Sequence, residues 1–550
     1  MNLGRDDRTR RSERVGESLT WLCGGALAFN LLMIVAVIGF IGYRGLDYFW
    51  QGRVALCRLE DGRRLLGEIS GREERPPTPG KTLEMTGRLQ LRVGNRDVTG
   101  AGFVWIDDDQ IAEISYPEDA LLLERLEWGH FYGRAVELRR GDEVLARGPD
   151  EVWRAFGPLH EEKVARREAI ERLERGEIGD INFEIERLRL AGKRLARRDL
   201  SPDERALQEA AIAHETKERE AQYQVLADRL FEERESLAEE QLVMETADGE
   251  RNAIAVGEIV RAVRPNAMSL LDRAGLYLGR VREFVWDDPR ESNTEGGIFP
   301  AIFGTVLMVF IMSIAVVPLG VLAALYLREY AKQGVLVRTV RIAVNNLAGV
   351  PSIVFGVFGL GFFVYLVGGS IDRLFYPDAL PTPTYGTGGI LWASLTLALL
   401  TVPVVIVATE EGLAAVPRGT REGSLALGAT KFETIRRVVL PAAAPGILTG
   451  MILAMARAAG EVAPLMIVGM VKLAPTLPLD HHFPFVHLER KFMHLGFHIY
   501  DVGFQSPNVE ATTPLVFATA LLLVLVVTLM NVAAIVVRNR LRRKYASSAI

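Results

Sequence analysis

Long apolar runs separated by strongly charged segments are the main pattern of this chain. Six runs contain about 20 or more predominantly apolar residues, which is the length that a helix needs to cross a bilayer. They predict membrane-spanning helices near residues 22–42, 301–327, 342–367, 389–409, 442–470 and 515–537. The first run is longer than the core of a secretory signal and has aromatic flanks, so we predict a retained anchor. The predicted fold class is an all-α polytopic membrane protein with six transmembrane helices.

Between the first two runs the chain changes to mixed secondary structure. Residues 51–148 are predicted to be β-rich, because apolar and polar residues alternate at Leu89, Leu91 and Val93 before a Gly94-Asn95 turn. Residues 243–293 are predicted to return as a strand followed by an amphipathic helix. We therefore expect a large α+β insert in the membrane protein.

A helical hairpin is predicted within this insert, at residues 159–241. Ser201 and Glu204 form a capping box with Pro202 at the first helical position, which starts the returning helix. Apolar residues recur at coiled-coil spacing in the first helix, at Ile178, Ile181, Ile185, Leu188 and Leu195. The insert is either a solvated spacer or a docking surface for an external partner.

Lysine and arginine residues near the runs predict how the chain is oriented. They are concentrated in the N-terminus, in residues 328–341 and 410–439, and after residue 537. The positive-inside rule places all four segments in the cytoplasm. The predicted order is a cytoplasmic N-terminus with the first anchor (1–43), an extracytoplasmic insert (44–297), a domain of five membrane helices (298–540) and a cytoplasmic tail (541–550).

The loop between the fourth and fifth runs combines glycine, charge and helix signals. A short helix is predicted to contain Glu422 and to end at Gly428, which can adopt the left-handed conformation. Thr430 and Glu433 form a capping box for a second helix. Pro441 can begin a further helix, because the first-turn N–H that it lacks has no intrahelical partner. A polar loop of this size between two spans predicts a docking element.

This loop resembles the EAA loop of ABC importer permeases, which has Glu, Gly and a later Leu-Pro in the same register. The resemblance implies that the loop couples the chain to a separate ATPase subunit. The coupling residues carried over are Arg421, Glu422, Gly428, Phe432, Leu440 and Pro441. The chain has no phosphate-binding G-x-x-x-x-G-K-[ST] loop, so ATP is expected to bind to a partner chain. We therefore predict neither an enzyme nor a cofactor of its own.

Residues 421–460 are similar to the phosphate-specific branch of these permeases, the PstA type, as are 294–305, 345–360 and the final run from Thr512. The similarity extends over the first anchor and nearly everything after residue 259, whereas residues 51–241 depart from the short family members. It implies a MetI-like permease bundle that forms half of a phosphate pore in a bacterial inner membrane. The implied partners are a second permease (PstC type), two copies of an ATPase (PstB type), a periplasmic phosphate-binding protein (PstS type), inorganic phosphate and membrane lipid, without nucleic acid.

Arg457 and Glu461 are the residues that we expect to meet phosphate. They lie four positions apart in the fifth run, hence on one helical face. An ionisable group in mid-membrane costs about 2.5–3.5 kcal/mol, so the pair should face the bundle interior or a wet path. Gly460 and Pro464 can interrupt the helix and present backbone donors to an anion. A purely structural ion pair is the alternative.

Asn345 and Asn346, in the third run, are further candidates for the substrate path, although polar residues also join membrane helices. The composition, 49% hydrophobic and 24% charged, agrees with a membrane protein that carries a soluble insert. Two other functions remain open. One is a permease for sulfate or molybdate, and the other is a membrane-anchored signalling scaffold.

Five of the eight histidines fall in the loop between the fifth and sixth runs. Asp480 with the His481-His482 pair, or His494 with His498, could hold a zinc ion. The spacings match no closed zinc site, so we predict loop packing and no metal.

Overall fold

The computed structural model describes residues 3–75, 86–506 and 509–546. Within these ranges, six helices are long and apolar enough to cross a membrane: Thr20–Asp47, Phe299–Tyr330, Ser352–Phe375, Ile390–Ala414, Lys431–Gly460 and Thr512–Arg543. The prediction of six spanning helices is confirmed by length and composition.

The first helix, α1 (Leu3–Asp47), leads into the insert. In chain order the insert contains β1 (Val54–Leu59), β2 (Arg64–Arg75), β3 (Thr86–Arg92), α2 (Arg96–Thr99), β4 (Phe103–Asp107), β5 (Ile111–Ser115), β6 (Leu121–Arg125), β7 (His130–Arg140), β8 (Glu143–Arg147), α3 (Pro149–Leu173), α4 (Gly179–Ala196), α5 (Pro202–Leu237), β9 (Glu240–Glu245), β10 (Arg251–Ala255), β11 (Ile259–Val263), α6 (Leu270–Trp286), β12 (Pro289–Arg290) and β13 (Glu295–Gly296).

Two antiparallel sheets form the β part of the insert. Strands β4-β3-β2-β1-β5 make the first sheet, and β10-β9-β7-β6-β11 make the second, with β8 paired to β7. Leu89, Leu91 and Val93 are all buried in the core of the first sheet. Gly94 and Asn95 follow with positive φ, which confirms the predicted turn.

The helical hairpin is present, and it starts earlier than predicted. It begins at Pro149, and a π-helical turn at Glu174–Ile178 joins α3 to α4 without a break. Ser201 accepts a hydrogen bond from the Glu204 N–H, and the Glu204 carboxylate accepts one from the Ser201 N–H. This confirms the predicted capping box at the start of α5. The buried residues of the first helix's apolar seam are Ile178, Leu188 and Leu195.

The chain after the hairpin forms three strands, so the prediction of a single strand there is wrong. Strands β9 and β10 pair with each other, and β11 pairs with β6. The turn between β9 and β10 contains Asp248 and Gly249, and Gly249 has φ +89°. An Asp-Gly pair between apolar runs is a hairpin signal that the sequence already carried. The amphipathic helix α6 follows as predicted.

The membrane domain packs around one central helix. Its helices are α7 (Phe299–Leu325), α8 (Val335–Leu347), α9 (Ser352–Phe358), α10 (Gly369–Phe375), α11 (Ile390–Ala414), α12 (Arg418–Ala426), α13 (Lys431–Thr434), α14 (Leu440–Gly460), α15 (Ala463–Val468), α16 (Leu495–Tyr500) and α17 (Val509–Ala546). Helix α11 is the most buried of the spans and packs against α7 and α14. A Cβ on Gly446 would lie 2.6 Å from the Gly412 Cα, so small residues allow this close approach.

The third spanning helix begins later than predicted. Residues 342–347 belong to α8, a separate amphipathic helix, and the spanning segment starts at Ser352. Ala348, Gly349, Val350 and Pro351 separate the two helices. Proline disfavours the helical conformation of the residue before it, so a helix boundary is expected at this point.

The fifth spanning helix ends earlier than predicted. Helix α14 stops at Gly460, Glu461 has extended backbone (φ −83°, ψ 132°), and the short α15 starts at Ala463. The prediction of one run to residue 470 is therefore wrong. The interruption expected from Gly460 and Pro464 is confirmed.

Glu124 of β6 is the centre of an ion-pair network that holds the insert together. Its carboxylate pairs with Arg280 of α6 and, at 2.7 Å, with Arg261 of β11. Arg280 also donates to Gln51, just after α1, at 2.7 Å. Burial alone would raise the pKa of Glu124, but the two arginines oppose it and hold the pKa at about 2. The network thus joins the second sheet, α6 and the end of the first membrane helix.

We expect Glu124→Gln to lower the free energy of unfolding by about 3 kcal/mol at pH 7, from the pKa difference between 4.5 and about 2. The depressed pKa stabilises the fold above pH 4.5, and this contribution is lost as the pH falls towards 2. The difference in free energy of unfolding between wild type and variant should therefore become smaller as the pH falls from 4.5 towards 2. This difference is measured by denaturing the purified chain at several pH values and monitoring its tryptophan fluorescence.

Glu113→Gln is the matched control, since Glu113 pairs with Arg58 at 3.7 Å and both side chains are exposed. Its effect should stay within about 0.5 kcal/mol. If the stability difference between wild type and Glu124→Gln does not change with pH, the ionised Glu124 carboxylate is not the source of that difference.

The hairpin packs against a loop of the membrane domain. Arg194 and Arg197 pair with Asp378 at 2.9 and 3.3 Å, and Lys193 donates to the Leu380 carbonyl at 3.3 Å. Asp378 is nearly buried although both arginines are largely exposed. One carboxylate therefore tethers the far end of α4 to the segment between the third and fourth spans.

Asp378→Asn should loosen this tether, and we expect trypsin to cut after Arg194 and Arg197 several-fold faster than in the wild type. A pair of partly exposed ion pairs contributes about 1–2 kcal/mol. Glu186→Gln is the control, because Glu186 pairs with Arg189 on the same helix, at 2.5 Å. Equal cleavage rates in wild type and Asp378→Asn would show that the hairpin is held by other contacts.

Candidate functional site

The docking loop has the helix-turn-helix form that its sequence predicts. Helix α12 ends just before Gly428, which adopts φ +88°. Thr430 then caps α13, and Glu433 completes the capping box in both directions. The left-handed turn and the two caps explain why this loop is ordered despite its polar composition.

The second helix of the loop continues directly into the fifth span. Helical dihedrals run through a π-helical turn at Ile435–Val439 into α14, so Lys431–Gly460 is one helix of 30 residues. Pro441 follows the π turn without a break, so the prediction that a new helix begins at Pro441 is wrong. The widened turn accommodates the proline that lacks an N–H. Leu440 and Pro441 are both half-buried.

Side-chain contacts fix the loop to the end of the second span. Arg421 pairs with Glu329 at 3.0 Å and donates to the Leu413 carbonyl at 2.7 Å. Lys431 donates to the Glu329 carbonyl and lies 4.7 Å from the centre of the Tyr330 ring. The sequence indicated Arg421 but not Glu329, because no local spacing reveals a partner so distant along the chain.

The outer face of the loop is apolar and exposed. Leu427 is 91% exposed and Phe432 is 61% exposed, and Leu425 is also exposed. Glu422 is exposed beside them. A cluster of large apolar side chains on an ordered polar loop is typical of a protein-binding surface.

Arg457 and Glu461 are brought together at the far end of the same helix. Arg457 lies in the last turn of α14, and its Nε is 3.6 Å from Glu461 Oε1. Glu461 follows the end of the helix and has an extended backbone. The prediction that the two side chains share a helical face is therefore wrong. Both remain partly accessible, and the pair lies where the helical backbone is interrupted.

The interruption is supported by close packing of α15 against α9. A Cβ on Gly356 would lie 2.7 Å from the Pro464 Cα, so only glycine allows this approach. Pro464 itself is in the first turn of α15, where a missing N–H costs nothing. The two short helices therefore hold the Arg457-Glu461 end of α14 in place.

Asn345 and Asn346 do not lie in the third span. Both are exposed residues of α8, before Pro351. Asn345 lines a cavity of about 290 Å³ together with Arg341 and Glu410, which pair at 3.1 Å. The prediction that Asn345 and Asn346 lie in the third span is thus wrong, because a helix boundary falls within that apolar run.

In the described part of the chain, Asp480 lies 3.7 Å from the His482 ring but does not form one group of metal-ligand spacing with both His481 and His482. Asp480 pairs with Arg490 at 2.6 Å and with His487 at 2.9 Å. Burial raises the pKa of Asp480, but these hydrogen bonds outweigh it and hold the pKa at about 2. His494 accepts from the Gly496 N–H, and burial lowers its pKa to about 4, as it does for His498.

Another group has metal-ligand spacing in the part of the chain that the structure describes. Asp180 of the hairpin lies 2.9 Å from His481 and 3.2 Å from His482, and the three ligand atoms are within 4.8 Å of one another. Phe183 packs on the His482 ring at 4.1 Å. The same geometry serves as a second contact between the hairpin and the membrane domain.

The comparisons with known proteins agree with this architecture. Residues 316–544 match the family described as binding-protein-dependent transport system inner membrane component. The phosphate transport system permease protein PstA of Yersinia pestis is 34% identical over 250 residues, which cover 45% of this chain and 75% of that protein. The chain therefore belongs to the family of binding-protein-dependent transport inner membrane components. Within that family it groups with the MetI-like permeases of PstA type, as its sequence predicted.

Other relatives match over shorter stretches. PstA 1 of Mycobacterium tuberculosis is 37% identical over 34% of this chain and 54% of that protein. The probable ABC transporter permease protein YqgH of Bacillus subtilis is 32% identical over 35% of this chain and 59% of that protein. The chain thus spans little more than half the length of several relatives. A chain of the inward-facing MetNI methionine ABC transporter is 21% identical, with a TM-score of 0.32, over 44% of this chain and 94% of that chain.

Glu329→Gln should release Arg421 and loosen the docking loop, because it removes the ion pair between them. We expect trypsin to cleave at Arg418 and Arg421 several-fold faster in the purified variant. Glu411→Gln is the matched control, since Glu411 is an exposed carboxylate in the last turn of α11, just before the loop. Unchanged cleavage in Glu329→Gln, or equal acceleration in both variants, would mean that the ion pair does not order the loop.

Proposed function

We propose that this chain is a permease subunit of an ATP-driven phosphate importer. The observation that carries the proposal is the single helix Lys431–Gly460, which joins the docking loop at one end to Arg457 at the other. Thirty residues of helix extend about 45 Å, enough to cross the membrane. A rigid element of this kind can transmit movement of the loop to the charged pair.

The docking loop is the proposed contact with the ATPase. Its exposed apolar residues, Leu425, Leu427 and Phe432, would fill a groove on that subunit, and Glu422 would lie at the edge of the contact. Arg421 and Gly428 act from within the loop, by fixing its position and its turn. Leu440 and Pro441 lie at the start of the rigid helix. ATP hydrolysis belongs to the partner, so this chain is a transport subunit and not an enzyme.

The substrate path is proposed to include Arg457 and Glu461. Arg457 is held by Glu461 when the path is empty and turns to a phosphate oxygen when the anion arrives. Partial neutralisation keeps binding weak enough for release, as conduction requires. Asn345 and Asn346 are exposed in α8, so the proposal no longer depends on them.

The assembly that fits this function contains a second permease of PstC type, two ATPase subunits of PstB type and a phosphate-binding protein of PstS type. Both chain termini and the docking loop would face the cytoplasm of a bacterium, and the insert would face the periplasm. Two curated relatives named PstA or PstA 1 in their descriptions support phosphate as the cargo. Sulfate or molybdate is the alternative that the transport experiment tests.

Uptake of labelled phosphate in cells lacking the native gene, restored with wild type or variants, tests the proposal. We expect phosphate uptake by the wild type to resist excess sulfate. Arg457→Gln should reduce phosphate uptake at least tenfold, because a charged hydrogen bond of about 1.5–3 kcal/mol is lost. Arg457→Lys should retain most of the uptake, because the positive charge remains.

Arg373→Gln is the control, since Arg373 is exposed and donates at 3.0 Å to the Gly369 carbonyl of its own helix. Equal uptake by Arg457→Gln and wild type, at equal membrane levels, would remove Arg457 from the path. Wild-type uptake that sulfate suppresses would instead favour a different oxyanion.

A further inference from the structure

A second polar cavity lies in the insert, far along the chain from Arg457. Its volume is about 240 Å³, which is small compared with sites for drug-sized ligands. The walls come from the two sheets, from α6, from the β12-β13 segment, and from Ser506 and Thr512 of the membrane domain. The cavity is therefore at the junction between the insert and the permease helices.

Most charges around this cavity are already paired. Glu124 binds Arg261 and Arg280, and Glu283 binds Arg290 at 2.6 Å. These ion pairs make the walls rigid and engage most of the charge around the cavity.

Three lining groups differ from this pattern. Among the residues that the structure describes, the Arg92 guanidinium has no hydrogen-bond or ion-pair partner, and neither has the Glu295 carboxyl. His130 Nδ1 is buried and also lacks a hydrogen-bond partner. Arg92 and Glu295 are half-buried. An unpaired buried polar atom is costly, so His130 Nδ1 beside two charged groups without close partners indicates a ligand that pairs with all three.

The protonation of two of these groups is set by their surroundings. Burial raises the pKa of Glu295 to about 7, opposed by Arg92 and Arg290 and supported by Glu124. Burial also lowers the pKa of His130 well below its usual value, so the imidazole is neutral. The Glu68 carboxylate also acts on Arg92. The five arginines and five glutamates that line the cavity carry no net charge when Glu295 is ionised and a net charge of +1 when it is protonated.

The backbone beside the cavity is strained. Glu291 and Ser292 both have positive φ, at 41° and 54°, and so does Trp128, at 68°. The Trp128 N–H donates to Glu291 Oε2 at 2.8 Å, which links the two strained segments. Such conformations cost about 1–3 kcal/mol each and concentrate at ligand-binding sites.

We propose that this cavity binds one small oxyanion that carries a proton, of the hydrogen phosphate class. Arg92 pairs with the anionic oxygens, and His130 and Glu295 form hydrogen bonds with the remaining oxygen and hydroxyl. Hydrogen phosphate both donates and accepts hydrogen bonds, so it satisfies Glu295 in either protonation state. Sulfate only accepts, and an ionised Glu295 repels it.

The position of the cavity gives the anion a structural role. An anion bound there touches the insert on most sides and lies against the loop that precedes α17. The site therefore senses the anion on the insert side of the membrane and stabilises one arrangement of insert and permease. This inference does not depend on transport, because the isolated chain contains the whole site.

Equilibrium dialysis of labelled phosphate against the purified full chain in lipid nanodiscs, with no other subunit present, tests the proposal. We expect one saturable site, and Arg92→Gln should weaken it by about tenfold or more through loss of a charged hydrogen bond. Arg88→Gln is the matched control, because Arg88 lies on the same strand but pairs with Glu73 at 2.7 Å outside the cavity. Its affinity should stay within twofold of wild type.

A second measurement tests binding in the same cavity without the Arg92→Gln variant, in case that variant folds poorly. Phosphate should change the tryptophan fluorescence of the wild type. The change should shrink in Trp50→Phe and in Trp128→Phe and disappear in the double variant, but remain in Trp153→Phe, because Trp50 and Trp128 line the cavity and Trp153 does not. At pH 8, where Glu295 is mostly ionised, excess sulfate should compete poorly with phosphate.

Three results would overturn the proposal. The first is no saturable binding at millimolar phosphate, and the second is equal competition by sulfate at pH 8. The third is binding that survives Arg92→Gln but is lost in Arg457→Gln, which would assign the anion to the substrate path. A failure of uptake in cells, with binding intact, would count against the transport function and not against this site.

Discussion

The requirement that backbone groups in a bilayer be hydrogen-bonded within the protein determines most of this structure. It forces the six spans to be helical and permits a break only where protein surrounds it. The interruption at Glu461 satisfies that condition, because α9 and α15 pack closely against each other at Gly356. The same interruption exposes Arg457 and Glu461 at the end of a helix. Close packing at Gly356 thus supports the polar end of the helix that begins in the docking loop.

Much of the fold could be predicted from local sequence, because local physics determines it. The six spans follow from the length of the apolar runs, and the starts of α5 and α13 follow from capping boxes at Ser201 and Thr430. The errors came from runs whose hydrophobicity hides a boundary. Residues on both sides of Pro351 are apolar, so the break between α8 and α9 is visible only in the proline and the glycine before it.

The candidate site was predictable only in part, for a different reason. Arg457 and Phe432 were found because charge in a membrane run, or position in a family pattern, marks a residue. Glu329 and Asp378 were not found, since each pairs with an arginine far away in the chain. Neither burial nor spacing in one sequence reveals such pairs. The unpaired state of Arg92 is equally invisible without knowledge of which carboxylates are already bound.

The insert leaves and rejoins the membrane domain at neighbouring points. Phe49, just after α1, packs on Phe284 near the end of α6, with ring centres 5.2 Å apart. A segment whose two ends meet can be lengthened, shortened or replaced without displacing the helices that flank it. The bundle and the insert can therefore change independently during evolution, so a module of another size or fold can be added at this one position.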